Sequence, residues 1–217
     1  VLEYKYSGLP FYLFKDYMEK TYGQPMDVLN SEYFYGPLGA ATLVYNPLNK
    51  FPKSRIVPTE KDEFFRHQLL HGNVHDEGAA MMGGVSGNAG LFGTSNDVAK
   101  MMQMYLQKGY YGGESYFKPE SFDKFNRRYF EDKGVRRGLG FDKPQLDESM
   151  ATCGCISFKS FGHSGYTGTY AFADPETEIV YVFLSNRVYP TRENNKLGEA
   201  DIRTVVQKLI QESIINE

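Results

Sequence analysis

The tract from Tyr170 to Leu184 constrains the fold more than any other part of the chain. Tyr170 to Ala173 and Ile179 to Leu184 are rich in aromatic and β-branched residues, and Asp174-Pro175-Glu176-Thr177 between them is turn chemistry. The pattern predicts an antiparallel hairpin. Its second run, Ile179-Val180-Tyr181-Val182-Phe183-Leu184, is apolar throughout, which predicts a strand covered on both faces. A cover is at hand in a final helix over about Gly198 to Ser213, with Ile202, Val205, Val206, Leu209 and Ile210 on one side. Cys153 to Phe158 reads as a third strand.

Upstream, the pattern is helical. Phe11 to Thr21 places Leu13, Phe14, Tyr17 and Met18 on one helical face, with Gly23 as the stop. A second short helix is expected over Asp27 to Tyr35, ending at Gly36-Pro37-Leu38-Gly39. Three prolines between Asn46 and Pro58 mark a surface loop. The glycine-rich connection Gly83 to Gly93 leads into the clearest helix. Thr94 or Ser95 can cap it, Asp97 suits its first turn, and Val98, Met101, Met102, Tyr105 and Leu106 form its apolar stripe. Pro119 opens another helix, with Phe122, Phe125 and Tyr129 expected on its inner face. The expected class is α/β of the α+β type. A mainly helical and loop region, about 1–150, stands beside an antiparallel sheet with its C-terminal helix, about 151–217. At 217 residues the whole is read as part of one domain.

Composition excludes more than it identifies. A net charge of −3 gives no basic footprint for nucleic acid and no polybasic patch for a membrane surface. No apolar run approaches the roughly 18–20 residues that span a bilayer. A small-molecule or peptide substrate is what remains. Cys153 and Cys155 would share one face of a strand, where a disulfide is strained, and two thiolates are too few for a closed zinc site. They are expected as buried free thiols, and neither a metal nor another cofactor is called for.

Two motifs carry chemistry. Tyr6-Ser7-Gly8 precedes the helix from Phe11 and the Gly36-Pro37-Leu38-Gly39 turn. Gly162-His163-Ser164-Gly165-Tyr166-Thr167-Gly168 precedes an apolar strand ending in Ser185-Asn186-Arg187. The first resembles the Tyr-Ser-Asn motif of class C β-lactamases and related esterases. The second is similar to the Lys-Thr-Gly or His-x-Gly strand of the same β-lactamase and penicillin-binding protein-like hydrolases. Ile56-Val57-Pro58-Thr59-Glu60, Gly72 to Ala79 and Gly84 to Phe92 match a subgroup of them in the same order.

This resemblance implies a β-lactamase/transpeptidase-like fold and acyl-enzyme chemistry on a D-alanyl peptide, a β-lactam or a small ester. It also implies an extracytoplasmic (periplasmic or cell-envelope) location. Serine acyl transfer needs a base, an oxyanion hole and a surface that aligns the scissile bond. By correspondence, Tyr6 shares the base role, His163 meets the substrate carboxylate or the base network, and the Tyr166 N–H is an oxyanion donor. Ser7, Ser164 and Gly165 line the substrate, with Gly165 allowing its close approach. Gly8 replaces the usual Asn and offers no carboxamide.

The resemblance places the nucleophilic Ser-x-x-Lys upstream of the tyrosine motif, and five residues precede Tyr6, so it is expected N-terminal to this chain. Ser115-Tyr116-Phe117-Lys118 and Ser121-Phe122-Asp123-Lys124 lie in the wrong order, after the tyrosine motif. Either the missing N-terminal part of the domain or self-association is expected to cover the apolar surface left open. Two other readings remain at this point. One is a non-catalytic peptidoglycan- or β-lactam-binding module of the same fold. The other is a zinc hydrolase on His67, His71 and His75, whose spacing could put three imidazoles on one helix face. Asp76 fits better as an organiser of its loop.

Overall fold

The computed structural model describes residues 3–145 and 152–214 and divides into two compact units. The expected division near residue 150 lies outside the described residues. One unit comprises Val1–Asp97 with Asn186–Asn194, and the other Val98–Ser185 with Asn195–Glu217.

The first unit opens with helix α1 (Leu9–Tyr22), whose Pro10 stands where a missing N–H costs nothing and whose Gly23 closes it at φ +68°. Helix α2 (Met26–Asn30) continues into a π-type turn, Ser31–Tyr35. Strand β1 (Val44–Tyr45) pairs with β4 (Leu91–Phe92); between them lie the hairpin β2 (Pro58–Asp62) and β3 (Gln68–His71) and helix α3 (Glu77–Met81). The expected face of α1 forms, but no residue of this helix is buried, and Leu9, Leu13, Phe14 and Tyr17 are each at least 60% exposed.

The second unit takes up helix α4 (Ser95–Leu106) from its first turn, where Thr94 Oγ1 accepts from Asp97 N–H at 3.4 Å. A short hairpin, β5 (Tyr110–Tyr111) and β6 (Glu114–Ser115), leads to α5 (Pro119–Asn126). Then come strands β7 (Phe161–Ser164), β8 (Tyr170–Asp174) and β9 (Ile179–Phe183), and helices α6 (Lys196–Glu199) and α7 (Ile202–Glu212). The strands form one antiparallel sheet in the order β7-β8-β9.

The alternation along β8 explains why this sheet has two covered faces. Ala171 and Ala173 join Phe161, Val180 and Val182 against Met102, Tyr105 and Phe122 of α4 and α5. Tyr170 and Phe172 join Tyr181 and Phe183 against Val206 and Ile210 of α7. Fully burying an aromatic of this kind is worth about 1.5–3 kcal/mol, so the central strand anchors the unit.

Five expectations are corrected here. Cys153 to Phe158 is not a strand: Gly154 turns the chain at φ +68°, and the third strand is β7. That turn brings the Cα atoms of Cys153 and Cys155 to 5.1 Å, within disulfide range, and the two sulfurs are bonded. The free-thiol reading assumed an extended backbone that the chain does not adopt. Strand β9 is an edge strand with only Tyr181 buried, because β8 takes the centre. On α7 the inward face carries Val206, Ile210 and the buried Gln207, whereas Ile202, Val205 and Leu209 are exposed. Gln207 is drawn in because its Oε1 accepts from the Tyr170 hydroxyl, at 2.8 Å, and from Cys153 N–H, at 3.3 Å. On α5, Phe122 is buried as expected, but Phe125 is exposed, and Tyr129, also exposed, lies beyond the helix, which ends at Asn126.

Candidate functional site

The candidate residues fall into two groups, one in each unit. In the first unit, Tyr6, Ser7 and Gly8 lead directly into α1. Ser7 Oγ accepts from Leu9 N–H at 3.2 Å, and Gly8 C=O accepts from Phe11 N–H at 3.0 Å, so the motif is the helix entry itself. Tyr6 is 62% exposed.

Gly8 faces a residue that the motif comparison did not point to. A Cβ placed on Gly8 would stand 3.3 Å from Nδ2 of Asn88. The Asn88 carboxamide is oriented by Ser86 Oγ, which donates to its Oδ1 at 2.7 Å, while its Nδ2 reaches the Tyr12 hydroxyl at 3.4 Å. Tyr12 in turn donates to Asp76 Oδ1 at 3.4 Å, and burial together with the Asp76 charge raises its pKa. Asp76 caps α3 by accepting from Ala79 N–H at 2.7 Å, the loop-organising role expected of it. In the sequence, only the glycine-rich setting of Asn88 hinted at a close approach.

The three spaced histidines do not share a helix face, because their segment is the β2–β3 hairpin and the turn after it. His67 sits at φ +50°, His71 Nε2 donates to Ile56 C=O at 2.6 Å, and His75 pairs with Glu60 at 3.0 Å. Glu60 is 2% exposed and also takes both prongs of Arg192 at 2.8 Å, while Arg192 reaches Glu77 at 2.9 Å. Among the described residues, no group of three or more His, Cys, Asp or Glu is arranged to hold a metal ion.

In the second unit, His163 and Ser164 end β7, and Gly165 and Tyr166 open the tight turn to β8. Gly165 N–H donates to Thr169 C=O at 2.8 Å, and a Cβ on Gly165 would fall 2.2 Å from Thr169 Oγ1, so a side chain there would have to displace the Thr169 hydroxyl. Gly162 is required too, since Phe172 packs where its Cβ would be. Tyr166 sits on the turn, 60% exposed. His163 is flanked by a cluster the motif did not announce. Arg137 Nη1 lies 3.0 Å from His163 Nε2, and Arg137 Nη2 donates to Asp142 Oδ2 at 3.0 Å. Arg136 binds the same buried carboxylate through Nε at 2.7 Å and Nη2 at 3.0 Å. Burial pushes the Asp142 pKa up, but the two guanidiniums and the Lys143 N–H outweigh it and hold the carboxyl below its ordinary range. Asp142 also exchanges backbone hydrogen bonds with Gly162, at 2.7 and 2.9 Å, which fixes the arginine loop along the outer edge of β7.

The Ser-x-x-Lys strings within the chain are poor nucleophile sites. Ser115 lies in a hairpin and its Lys118 precedes α5, whereas Ser121 is an exposed first-turn residue of α5.

A family model described as beta-lactamase matches residues 2–205, and the chain belongs to the beta-lactamase family, a family of hydrolases. It is 37% identical over 195 residues to a protein of Escherichia coli (strain K12) named "Putative D-alanyl-D-alanine carboxypeptidase", covering 84% of this chain and 44% of that one. A protein of the same name from Salmonella agona (strain SL483) is 35% identical over 216 residues, with 91% and 50% covered. The chain thus spans about half the length of the curated relatives it matches. Solved structures share the fold at low identity. A beta-lactamase from Mycobacterium bovis has a TM-score of 0.63 at 18% identity, over 94% of this chain and 62% of that one. A penicillin-binding protein homologue from Caulobacter crescentus has 0.55 at 21%, over 80% and 50%. No helix among the described residues is long and apolar enough to cross a membrane.

Proposed function

We propose that the protein is a serine hydrolase acting through a covalent acyl-enzyme, with a D-alanyl peptide as its substrate and β-lactams as reactive mimics of it. The observation that carries this reading is the 35–37% identity, over most of the chain, to proteins named as D-alanyl-D-alanine carboxypeptidases. In it, Tyr6 takes the proton of the serine that attacks the scissile carbonyl, and the Tyr166 N–H steadies the oxyanion. The β7 edge, with His163, Ser164 and Gly165, aligns the peptide, and Ser7 supports the tyrosine corner. Asn88 supplies the carboxamide that Gly8 lacks. The serine stands in a Ser-x-x-Lys N-terminal to Tyr6 in the full reading frame, and the protein works outside the cytoplasm on cell-wall peptides.

The intact protein is expected to be labelled covalently by a fluorescent penicillin and to release D-alanine from a D-alanyl-D-alanine peptide. Retention of muropeptide fragments without label or release would instead identify a binding module of the same fold, the reading that Gly8 favours.

The apolar faces of α1 and α7 support a further part of the reading, in which all 217 residues form the C-terminal portion of one domain. We propose that the rest of the domain covers these faces, or a second copy does when this chain is alone. Sedimentation of the 217-residue chain by itself is expected to show self-association; a stable monomer across a concentration series would refute the proposal.

A further inference from the structure

Both ring nitrogens of His163 are engaged, and their partners determine where its proton sits. Nδ1 lies 2.7 Å from the Ser164 carbonyl oxygen, which can only accept, so Nδ1 carries the hydrogen. Nε2 lies 3.0 Å from Nη1 of Arg137, which can only donate, so Nε2 must present its lone pair. A second proton on the ring would set N–H against N–H. Arg137 is not free to swing away: its Nη2 is held at 3.0 Å by Asp142, whose backbone is bonded to Gly162 on the same strand as His163.

We infer that Arg137 is a positioning residue for the substrate-aligning strand: anchored by Asp142, it donates to His163 Nε2 and locks the imidazole as its Nδ1–H tautomer. The role of that lock in turnover rests on the function proposed above, whereas the tautomer itself does not. The consequence is chemical. His163 has no spare N–H to offer a substrate carboxylate and no open lone pair to act as a base. It serves the strand as a neutral, oriented ring, and the positive charge at this edge belongs to Arg137 and Arg136. The titrating environment agrees in direction. Burial lowers the His163 pKa; the Ser164 carbonyl opposes that, Arg137 and Arg136 add to it, and Asp142 works against them.

Long-range 1H–15N correlation spectra of the imidazoles in the intact protein, with His163→Gln to assign the signal, test the lock directly. The expected result is the Nδ1–H pattern for His163, unchanged from pH 8 down to below the ordinary histidine value of about 6.5. Arg137→Ala is expected to give a mixture of tautomers and to raise the titration midpoint. An Nε2–H pattern in the unaltered protein would overturn the inference with no variant needed. So would an Arg137→Ala protein whose tautomer and midpoint match the original. If Arg137→Ala fails to fold, Arg137→Lys replaces it: one flexible ammonium cannot bridge Asp142 and Nε2 as a planar fork does, so partial loosening is expected and an unchanged spectrum counts against the lock. These readouts need no turnover. An inactive protein with a locked imidazole would sink the proposed function and leave this inference standing.

Discussion

Replacing Tyr6 by phenylalanine is expected to lower acyl transfer by about 10²–10⁴-fold, the usual contribution of a positioned acid–base group. The ring is 62% exposed and makes the entry to α1 together with Ser7 and Gly8, so losing one oxygen should leave the helix start intact. The expected signature is therefore a fall in the rate of penicillin acylation and of D-alanine release, with thermal stability unchanged. An unaltered rate would remove Tyr6 from the base system and return the motif to a plain helix entry. A fall in stability of the same size as the fall in rate would mean that the hydroxyl matters for folding.

Glu60→Gln is expected to cost about 3 kcal/mol of stability, because the carboxylate is the shared acceptor of a desolvated pair rather than a surface ion. It accepts from Arg192 Nε and Nη2, both at 2.8 Å, lies 3.0 Å from His75 Nε2, and is 2% exposed. A neutral amide leaves Arg192 to Glu77 alone. For a chain of this size the melting temperature should fall by roughly 6–12 °C; a drop of only a degree or two would show that the pair is solvated.

The same network gives a pH dependence. Burial pushes the Glu60 pKa up, but Arg192 and His75 together hold it below its ordinary value. Its charged form therefore stabilises the fold fully above the unfolded value of about 4.3, and that contribution is lost as pH falls through the lower folded value. His75, held low mainly by burial, adds a slope of the same sign beginning near pH 6.5. The gap between the original protein and Glu60→Gln should thus be fully present above the unfolded value and close only as pH falls through the lower folded value of Glu60.

Neither motif could have announced the partners that give it chemical meaning. Gly8 read alone is a departure from the family pattern, yet the space it leaves faces the Asn88 carboxamide, supplied from a distant glycine-rich loop. His163 read alone is a histidine that could bind a carboxylate, yet its nitrogens are committed to Ser164 and Arg137. Arg136 and Arg137 stand before a Gly-Leu-Gly turn, which signals a change of direction but not which strand the turn will meet.

What the sequence determined by itself were the features carried by neighbours along the chain. The hairpin at Asp174, the stripe of α4, the glycine stop of α1 and the ordered family motifs all depend on local periodicity and residue chemistry. Tertiary structure alone decided which strand lies at the centre, which side of α7 turns inward, and which charges meet on Glu60 and Asp142. The physical reason is the same in each case. These outcomes depend on which buried polar group must find a partner, as the Tyr170 hydroxyl finds Gln207, and such partners are brought together only when the chain packs.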